Sequence, residues 1–331
     1  MIKKLLILIL FLLGIVYFIF FKMNIIQNDY ILKLDEKKVP SEIMDSLAIH
    51  QVISNQYIFD LYYLVNSFNH VPRGYYKLSK GLSAAQLVKK LKYGHQDPIK
   101  FTISTATFIE EIAKRAGDKM NFDSTEFMNC LMADSNKLKY GYDEKSALTQ
   151  FLPNTYDFYW TASPQQFVDR WMKETQKFWS STNLQKANNL KLDAKQAYIL
   201  ASLVQKEYYK KEERSRIAGV LLNRLNLNMA LQVDATCKYA TRDFGAKRVL
   251  NFHTNYPSEY NTYLHTGLPP GPICVPEIST IEAVLSPEKH DFIFYCADPS
   301  LNGYHIFSKT LSEHESVAAV YRQKMNTLHI K

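Results

Sequence analysis

A glutamate on the apolar face of a predicted helix is the residue of this chain best suited to chemistry. Asp193 and Gln196 have the spacing of a capping box, and the apolar residues that follow recur at helical intervals. Glu207 lies seven residues after Leu200 and three after Val204, so its carboxyl group continues the stripe that should be buried. Burial disfavours the charged form, and a desolvated carboxyl group has the raised pKa that a general acid needs near neutral pH.

A structural role for Glu207 is the alternative. Partly buried carboxylates often pair with a cation, and such pairs also perturb titration. Arg224 is the candidate partner, because it lies at helical spacing from Ile217 and Leu221 on the apolar stripe of a second predicted helix. Periodicity alone leaves both roles open.

The charge of the chain indicates an anionic partner. The 331 residues carry a formal net charge of +8 and are 47% hydrophobic, which allows a membrane anchor and two domains with substantial cores. Nucleic acid, lipid head groups and an anionic wall polymer are the candidates. The excess charge is scattered, and the 22 tyrosines suit cores or sugar platforms better than base stacking, so we expect no nucleic-acid partner.

Cysteine and histidine spacing predicts no metal site. The four cysteines, at positions 130, 237, 274 and 296, form no CxxC pair, and both disulfides and free thiols stay open. His305 and His314 lack metal-ligand spacing with each other and with His265.

The N-terminal segment is predicted to anchor the chain in a membrane. Leu5–Phe21 holds 17 uncharged, mostly large apolar residues, at the short end of the range for a spanning helix. Lys3 and Lys4 before it, against Lys22 after it, favour an N-terminus inside the cell. We expect a cytoplasmic tail at residues 1–4, a transmembrane signal anchor at 5–21 and the rest outside the cytoplasm. A cleaved signal peptide is the alternative, although no small-residue cleavage site follows.

A small α/β module is predicted at residues 29–98. Gly74–Leu78 has the pattern of a strand, and Ser83 with Gln86 forms a capping box for the helix that follows. Gly94 suits the position just beyond a helix C-terminus. This module would precede the larger part of the chain.

A mixed α+β domain is predicted at residues 99–331, with its core at about 190–331. The charged segment Lys210–Glu213 is predicted to lie on the surface. Asp291–Ala297 contains an apolar run that predicts a buried strand. The predicted fold class is therefore α+β, with a transmembrane helix before the two folded parts.

Short motifs follow one another in a distinctive order through the second half of the chain. They are Ala201–Val204 with Lys206 and Glu207, Arg216–Val220 with Asn223–Leu225, Leu231 and Gln232 with Asp234 and Thr236, Tyr260–Tyr263, Gly267–Ile273, Gly303 with His305 and Phe307, and Glu313 with His314. In their order and spacing the chain resembles the endolytic murein transglycosylase family (MltG, or YceG-like) from the anchor to the C-terminus. Two positions depart from the family: Gln205 stands where many relatives carry a second glutamate, and Ala235 replaces the usual proline.

The resemblance implies a single-pass protein of the cell inner membrane with a LysM-like module and a periplasmic catalytic domain. Such enzymes cleave nascent peptidoglycan internally at the MurNAc–GlcNAc β-1,4 bond and leave 1,6-anhydro-MurNAc ends. The family's catalytic glutamate corresponds to Glu207, the residue that helix periodicity indicates. The implied partners are peptidoglycan glycan strands, the cytoplasmic membrane and peptidoglycan synthases, and no cofactor is implied.

Ten residues are candidates for substrate binding. They are Asn223, Arg224, Gln232, Asp234, Thr236, Tyr260, Asn261, Tyr263, Pro270 and His305. The amides and hydroxyls among them would bind N-acetyl and hydroxyl groups, whereas the tyrosines and the proline loop would form a wall for sugar rings. Structural roles in loops, caps and cores are the alternative.

Two other function classes stay open. A hydrolase would use a second carboxylate, for which Asp234 is the candidate. A wall-binding scaffold with a degenerate centre would bind glycan strands and leave them uncut.

Overall fold

A helix that is apolar on all sides begins the chain. α1 (Ile2–Tyr17) continues through a π-helical turn (Phe18–Lys22), and the two together span 21 residues with no buried side chain. At 1.5 Å per residue, a helix of this length is about 30 Å long, roughly the thickness of the hydrocarbon core of a bilayer. The helix is therefore long and apolar enough to cross a membrane, and it contains the predicted span at residues 5–21.

The computed structural model of the chain describes residues 2–208 and 210–328. Met1 in the predicted tail, and residues 329–331 at the end of the predicted catalytic domain, lie outside the described residues, as does Tyr209. The chain divides into two units. The first comprises Met1–Phe101, Lys119–Phe122 and Tyr156–Ser163, and the second comprises Thr102–Asp118, Asp123–Thr155 and Pro164–Lys331.

Two strands and three helices form the part of the first unit that follows the membrane helix. In chain order they are β1 (Tyr30–Leu34), α2 (Pro40–Ile49), α3 (Gln56–Val65), β2 (Gly74–Leu78) and α4 (Ala84–Lys92). β1 and β2 pair antiparallel, and the helices cover a core that includes Leu47, Phe59 and Tyr76. The predicted strand at β2 and the capping box of Ser83 with Gln86 are confirmed.

A two-stranded sheet and five helices lie between residues 98 and 189. They are β3 (Pro98–Ile103), α5 (Ile109–Lys119), α6 (Ser124–Met132), α7 (Asp134–Tyr140), a 3-10 turn (Ala147–Gln150), β4 (Asn154–Tyr159), α8 (Pro164–Phe178) and α9 (Ser181–Asn189). In the second unit, Phe127, Phe151, Phe167 and Trp171 form a buried aromatic cluster. The carbonyl of Phe151 accepts a hydrogen bond of 2.6 Å from the hydroxyl of Tyr198, so this cluster also fixes the helix that follows.

The C-terminal part of the second unit is organised around one buried helix. α10 (Ala194–Glu207) buries every residue from Ala197 to Val204 and packs against α11 (Arg214–Asn226), α12 (Asp234–Thr241) and α14 (Ile278–Leu285). The remaining elements are α13 (Asn251–Thr254), the antiparallel strands β5 (Phe294–Ala297) and β6 (His305–Ser308), and α15 (Leu311–Thr327), which packs on that hairpin. The fold is mixed α+β, as predicted.

Two local predictions are wrong. The strand predicted within Asp291–Ala297 is limited to β5, and only its first side chain, Phe294, is fully buried, because the strand lies at the edge of a cavity. The segment Lys210–Glu213 is not wholly on the surface, because Glu213 is buried against His305. The cysteines, whose pairing the sequence left open, are all free thiols.

Candidate active site

Glu207 is the last residue of α10, and contacts along the helix fix its position. The predicted capping box is present: Asp193 accepts from the backbone N–H of Gln196 at 2.7 Å, and the Gln196 amide oxygen accepts from the backbone N–H of Asp193 at 2.9 Å. Further along, the hydroxyl of Ser202 accepts a hydrogen bond of 3.1 Å from the backbone N–H of Ile273. The helix therefore presents Glu207 at one defined place.

A cavity of about 300 Å³ lies at this end of α10. It is lined by Glu207, Arg224, Leu231, Gln232, Asp234, Tyr263, Tyr295, Cys296, Ala297, His305, His314 and Tyr321. These residues come from α10, α11, the start of α12, the β5–β6 hairpin, α15 and the connecting loops. Elements that are distant in the sequence thus converge on one carboxyl group.

The carboxyl group of Glu207 is partly buried, and its pKa is raised. Burial is the main cause that raises its pKa to about 7, and the negative charge of Asp234 acts in the same direction. Hydrogen bonds from the Tyr295 hydroxyl, 3.0 Å from Oε2, and from the backbone N–H of Ala235 oppose the rise in pKa. A carboxyl group with this pKa can both give and take a proton near neutral pH.

Asp234 is the second carboxylate of the cavity. It is the first residue of α12, and its Oδ1 accepts a hydrogen bond of 2.6 Å from the hydroxyl of Tyr263. Burial, followed by the charge of Asp234, raises the pKa of Tyr263, so this hydroxyl remains a donor. Asp234 is exposed whereas Glu207 is secluded, and such a difference suits two carboxyl groups with different roles.

A second depression, of about 290 Å³, shares this carboxyl pair. It is lined by Lys206, Glu207, Asp234, Ala235, Lys238, Tyr239, Phe244 and Ile273. Glu207 and Asp234 therefore line both cavities, so the two cavities meet at this carboxyl pair.

Arg224 is not an ion-pair partner of Glu207 in the part of the chain that the structure describes. It donates to the carbonyl of Ile293 at 2.6 Å, to the carbonyl of Leu231 at 2.8 Å and to the side-chain oxygen of Gln232 at 3.3 Å. Burial lowers the pKa of its guanidinium group. Arg224 therefore joins two walls of the cavity through backbone carbonyls.

The turn that carries Gln232 is held in an uncommon conformation. Gln232 has a φ of +53°, which non-glycine residues seldom adopt. Its backbone N–H donates to the carbonyl of Thr262 at 3.0 Å, and the hydroxyl of Thr262 accepts from the backbone N–H of Val233 at 3.0 Å. Thr236 lies beside them, with its hydroxyl 2.9 Å from that of Thr262. These bonds fix the turn from which Gln232 and Asp234 reach the cavity.

His305 lines the cavity and is bound to the buried carboxyl group of Glu213. Glu213 accepts from the backbone N–H of His305 at 3.0 Å and lies 2.9 Å from its Nδ1. The two side chains are only 8% and 5% exposed. The ring of His305 meets Tyr295 edge-on, with centroids 5.4 Å apart. Glu213 thus orients a histidine against the tyrosine that binds Glu207.

The structure brings five of the ten candidate binding residues together with Glu207. They are Arg224, Gln232, Asp234, Tyr263 and His305. The other five do not line the cavity, and they are Asn223, Thr236, Tyr260, Asn261 and Pro270. Thr236 is fully buried beside Thr262, where it supports the turn instead.

The two asparagines of this second group satisfy backbone carbonyls. Asn223 donates to the carbonyls of His290 and Phe292 at 2.8 and 2.9 Å, which ties α11 to the chain before β5. Asn261 is fully buried, and its amide donates to carbonyls at and just beyond the C-terminal end of the short helix α13. Their donor groups are therefore used within the protein, and neither side chain lines the cavity.

Tyr260 and Pro270 also lie outside the cavity. Tyr260 packs against Tyr239 with ring centroids 4.9 Å apart. Pro270 lines a different depression, together with Leu192 and Leu222. The apolar wall that the sequence predicted from tyrosines and prolines is therefore not formed around Glu207, where Tyr263 and Tyr295 stand instead.

Sequence reasoning missed Tyr295 and Glu213. Tyr295 lies in an apolar run that predicts a core strand, and Glu213 lies in a charged run that predicts a solvated surface. Each acquires its role from a partner about ninety residues away: Glu207 for Tyr295 and His305 for Glu213. No local signal in the sequence reveals such a pairing.

Across residues 2–208 and 210–328, no group of three or more histidine, cysteine, aspartate or glutamate side chains is placed to hold a metal ion.

Comparisons with known proteins identify the family of this chain. The model of the YceG-like family matches residues 32–319. The chain belongs to the YceG-like family. An endolytic murein transglycosylase of Bacillus subtilis (strain 168) is 29% identical over 302 residues, which cover 86% of this chain and 83% of that protein.

Two further relatives extend the comparison. An endolytic murein transglycosylase of Streptococcus pneumoniae (serotype 2, strain D39) is 26% identical over 321 residues, covering 86% of this chain but 57% of the relative, so this chain spans little more than half of its length. A crystal structure of a yceG-like protein from Listeria monocytogenes matches with a TM-score of 0.59 and 27% identity, over 88% of this chain and 99% of that one.

Replacing Glu207 by glutamine should stabilise the protein at alkaline pH. The folded-state pKa of about 7 lies above the ordinary value of 4.5, so the stability associated with the proton is present below pH 4.5 and is lost as the pH rises through 7. Glu207→Gln avoids this loss, and we expect the free energy of unfolding near pH 9 to rise by about 3 kcal/mol with no change near pH 4.

Urea denaturation of the detergent-solubilised chain measures this difference. The exposed Glu212→Gln is the matched control, and its stability should follow that of the parent at both pH values. A Glu207→Gln variant with the parent's pH dependence would contradict the seclusion of this carboxyl group.

Proposed function

We propose that this protein is an endolytic lytic transglycosylase that cleaves peptidoglycan glycan strands at the MurNAc–GlcNAc β-1,4 bond. The observation that carries the proposal is a single secluded glutamate, Glu207, with a pKa of about 7, at the junction of two cavities. Membership of the YceG-like family and relatives named endolytic murein transglycosylases support it.

The first chemical step uses Glu207 as an acid. Its proton passes to the glycosidic oxygen, which leaves as the 4-hydroxyl of GlcNAc while positive charge develops at C1 of MurNAc. Below pH 7 Glu207 carries the proton for this step. The carboxylate of Asp234, held by Tyr263, is available to stabilise the developing positive charge.

The second step uses the same carboxyl group as a base. The Glu207 carboxylate takes the proton of the C6 hydroxyl of MurNAc, and that oxygen forms the new bond to C1. The product is the 1,6-anhydro sugar, no water is consumed, and Glu207 regains its proton. An intramolecular nucleophile of this kind reacts with an effective molarity of roughly 10⁵ M or more, which removes the need for a positioned water.

The shape of the site favours cleavage within a strand. Sugars on one side of the scissile bond would contact the cavity of Gln232 and His305, and those on the other side the depression of Lys238 and Tyr239. The two lysines of that depression, Lys206 and Lys238, suit the carboxylates of lactyl and peptide groups. An enzyme that binds sugars on both sides needs no strand end.

The N-terminal part would hold the enzyme at the membrane where strands are made. α1 serves as a single-pass anchor with its N-terminus in the cytoplasm, and the folded parts face the wall in the periplasm. The strand–helix–helix–strand order from β1 to β2, with antiparallel pairing, supports a LysM-like module. Peptidoglycan synthases are the proposed partners at this location, because they supply nascent strands.

A peptidoglycan hydrolase is the second candidate, and the position of Asp234 favours it. Asp234 lines both cavities with Glu207, and two carboxyl groups on opposite sides of the bond would allow water to be the nucleophile. The product would then carry a reducing end.

Mass spectrometry of the products separates these possibilities. We expect the full-length chain to convert uncrosslinked glycan strands into fragments with anhydro-MurNAc ends, one water lighter than reducing ends. Glu207→Gln should abolish cleavage because it cannot donate the proton, whereas the exposed Glu212→Gln should cleave normally. Reducing ends would favour the hydrolase, and strands that bind both proteins uncut would favour a wall-binding scaffold.

The pH profile of kcat/KM should depend on the neighbours of Glu207 in opposite directions. Activity should fall above about pH 7 as Glu207 loses its proton. Tyr295→Phe removes a hydrogen bond that lowers this pKa and should move the alkaline limb to higher pH. Asp234→Asn removes a charge that raises the pKa and should move the limb to lower pH. If the alkaline limbs of the parent, Tyr295→Phe and Asp234→Asn proteins coincide, the assignment of Glu207 as the acid is contradicted.

A further inference from the structure

Helix α3 is apolar on two opposite faces. One face packs into the module, with Phe59 buried and Tyr62 and Tyr63 against the core. The other face is a stripe of residues spaced i, i+4, i+7 and i+8 and exposed to solvent, which we call the outer stripe: Tyr57 (85% exposed), Leu61 (54%), Leu64 (74%) and Val65 (81%). Asp60 is the one charged residue of the helix. A helix that is apolar all round is ordinarily buried on all sides.

α3 lies at the end of the helix that is apolar enough to cross a membrane. The π-helical turn Phe18–Lys22 packs against α3 and α4. Phe20 and Phe21 both contact Tyr62 of α3, with ring centroids 5.1 and 5.9 Å apart. Aromatic side chains at this level of a membrane helix are typical of the boundary between lipid and water. α3 therefore lies beside the C-terminal end of the helix that is long and apolar enough to cross a membrane.

Basic side chains lie on the Tyr62 side of α3, next to the π-helical turn. A cavity of about 390 Å³ between α3, α4 and the π-helical turn is lined by Lys89 and Lys92 together with Phe21, Tyr62 and Tyr93. The Lys92 ammonium donates to the carbonyl of Asn66 at 3.3 Å. In residues 2–208 and 210–328, no carboxylate lies within 4.0 Å of the ammonium groups of Lys22, Lys89 or Lys92. These charges are thus available to an anion at the membrane surface.

We propose that the outer stripe of α3 and the Lys89–Lys92 cavity form a membrane-docking surface for anionic phospholipids. The four side chains of the outer stripe enter the interfacial layer, and the lysines bind lipid phosphate groups. An apolar face beside basic residues is the arrangement by which helices lie in a membrane interface. This inference rests on the proposed crossing of the membrane by α1, and it adds a second attachment that restrains the module against the bilayer.

Quenching by brominated lipids tests the position of the stripe. The full-length Leu64→Trp variant is placed in nanodiscs whose phospholipids carry bromine on their acyl chains. The signal of the new tryptophan is the fluorescence of the variant minus that of the parent, which has three native tryptophans. Ile49→Trp is the matched control, because Ile49 is 78% exposed but lies on α2, outside the proposed surface. We expect several-fold stronger quenching of the added signal for Leu64→Trp than for Ile49→Trp. Equal, weak quenching in both variants would overturn the proposal.

Lipid charge tests the role of the cavity. Quenching of Leu64→Trp should be stronger in nanodiscs of phosphatidylglycerol than in nanodiscs of phosphatidylcholine, and the excess should disappear when Lys89→Gln and Lys92→Gln are added. Lys33→Gln with Lys37→Gln removes the same charge from β1 and the loop that follows, and it should leave the excess in place. An excess that persists without Lys89 and Lys92 would overturn the assignment of the phosphate site.

The same samples distinguish this inference from the proposed function. A chain that elutes with the nanodiscs and cleaves glycan strands, but whose Leu64→Trp reporter is not quenched, retains its anchor and activity and refutes only the docking surface. A chain that does not elute with the nanodiscs refutes both the anchor and the surface. Loss of strand cleavage in nanodiscs with quenching intact would leave the surface standing and count against the transglycosylase.

Discussion

The partial burial of the carboxyl group of Glu207 is the constraint on which the rest of the site depends. A glutamate in water is ionised near neutral pH and has no proton to give. Burial at the end of α10 raises the pKa of Glu207 to about 7, and Asp234 adds to the rise. The hydrogen bond from Tyr295 limits the rise, so the same group can act first as an acid and then as a base.

The walls of the cavity are held by polar groups that form hydrogen bonds within the protein. Arg224 binds carbonyls from two segments, Thr262 fixes the strained turn at Gln232, and Glu213 orients His305. Buried polar groups are costly unless they are paired, and these are paired. Their satisfaction gives one defined arrangement of Glu207 and Asp234, which is what a site that works by positioning requires.

Much of the fold and the central residue follow from local patterns in the sequence. The capping box at Asp193 fixes the register of α10, and helical spacing from Val204 then predicts the secluded position of Glu207. Local patterns do not predict the role of a residue when that role depends on a partner far away in the sequence. Tyr295 resembles a core residue and Glu213 a surface residue until Glu207 and His305 are placed beside them. A polar side chain that donates to a backbone carbonyl, as Asn261 does, cannot be distinguished in the sequence from one that binds a ligand.

A direct titration of Glu207 tests the account most sharply. Infrared difference spectra of the full-length chain minus Glu207→Gln isolate the C=O stretch of the protonated carboxyl group, and its intensity is followed as the pH is raised. The account predicts that this band disappears with a midpoint near pH 7. A midpoint near 4.5, the ordinary value for glutamate, would show a solvated carboxylate and contradict the proposed acid.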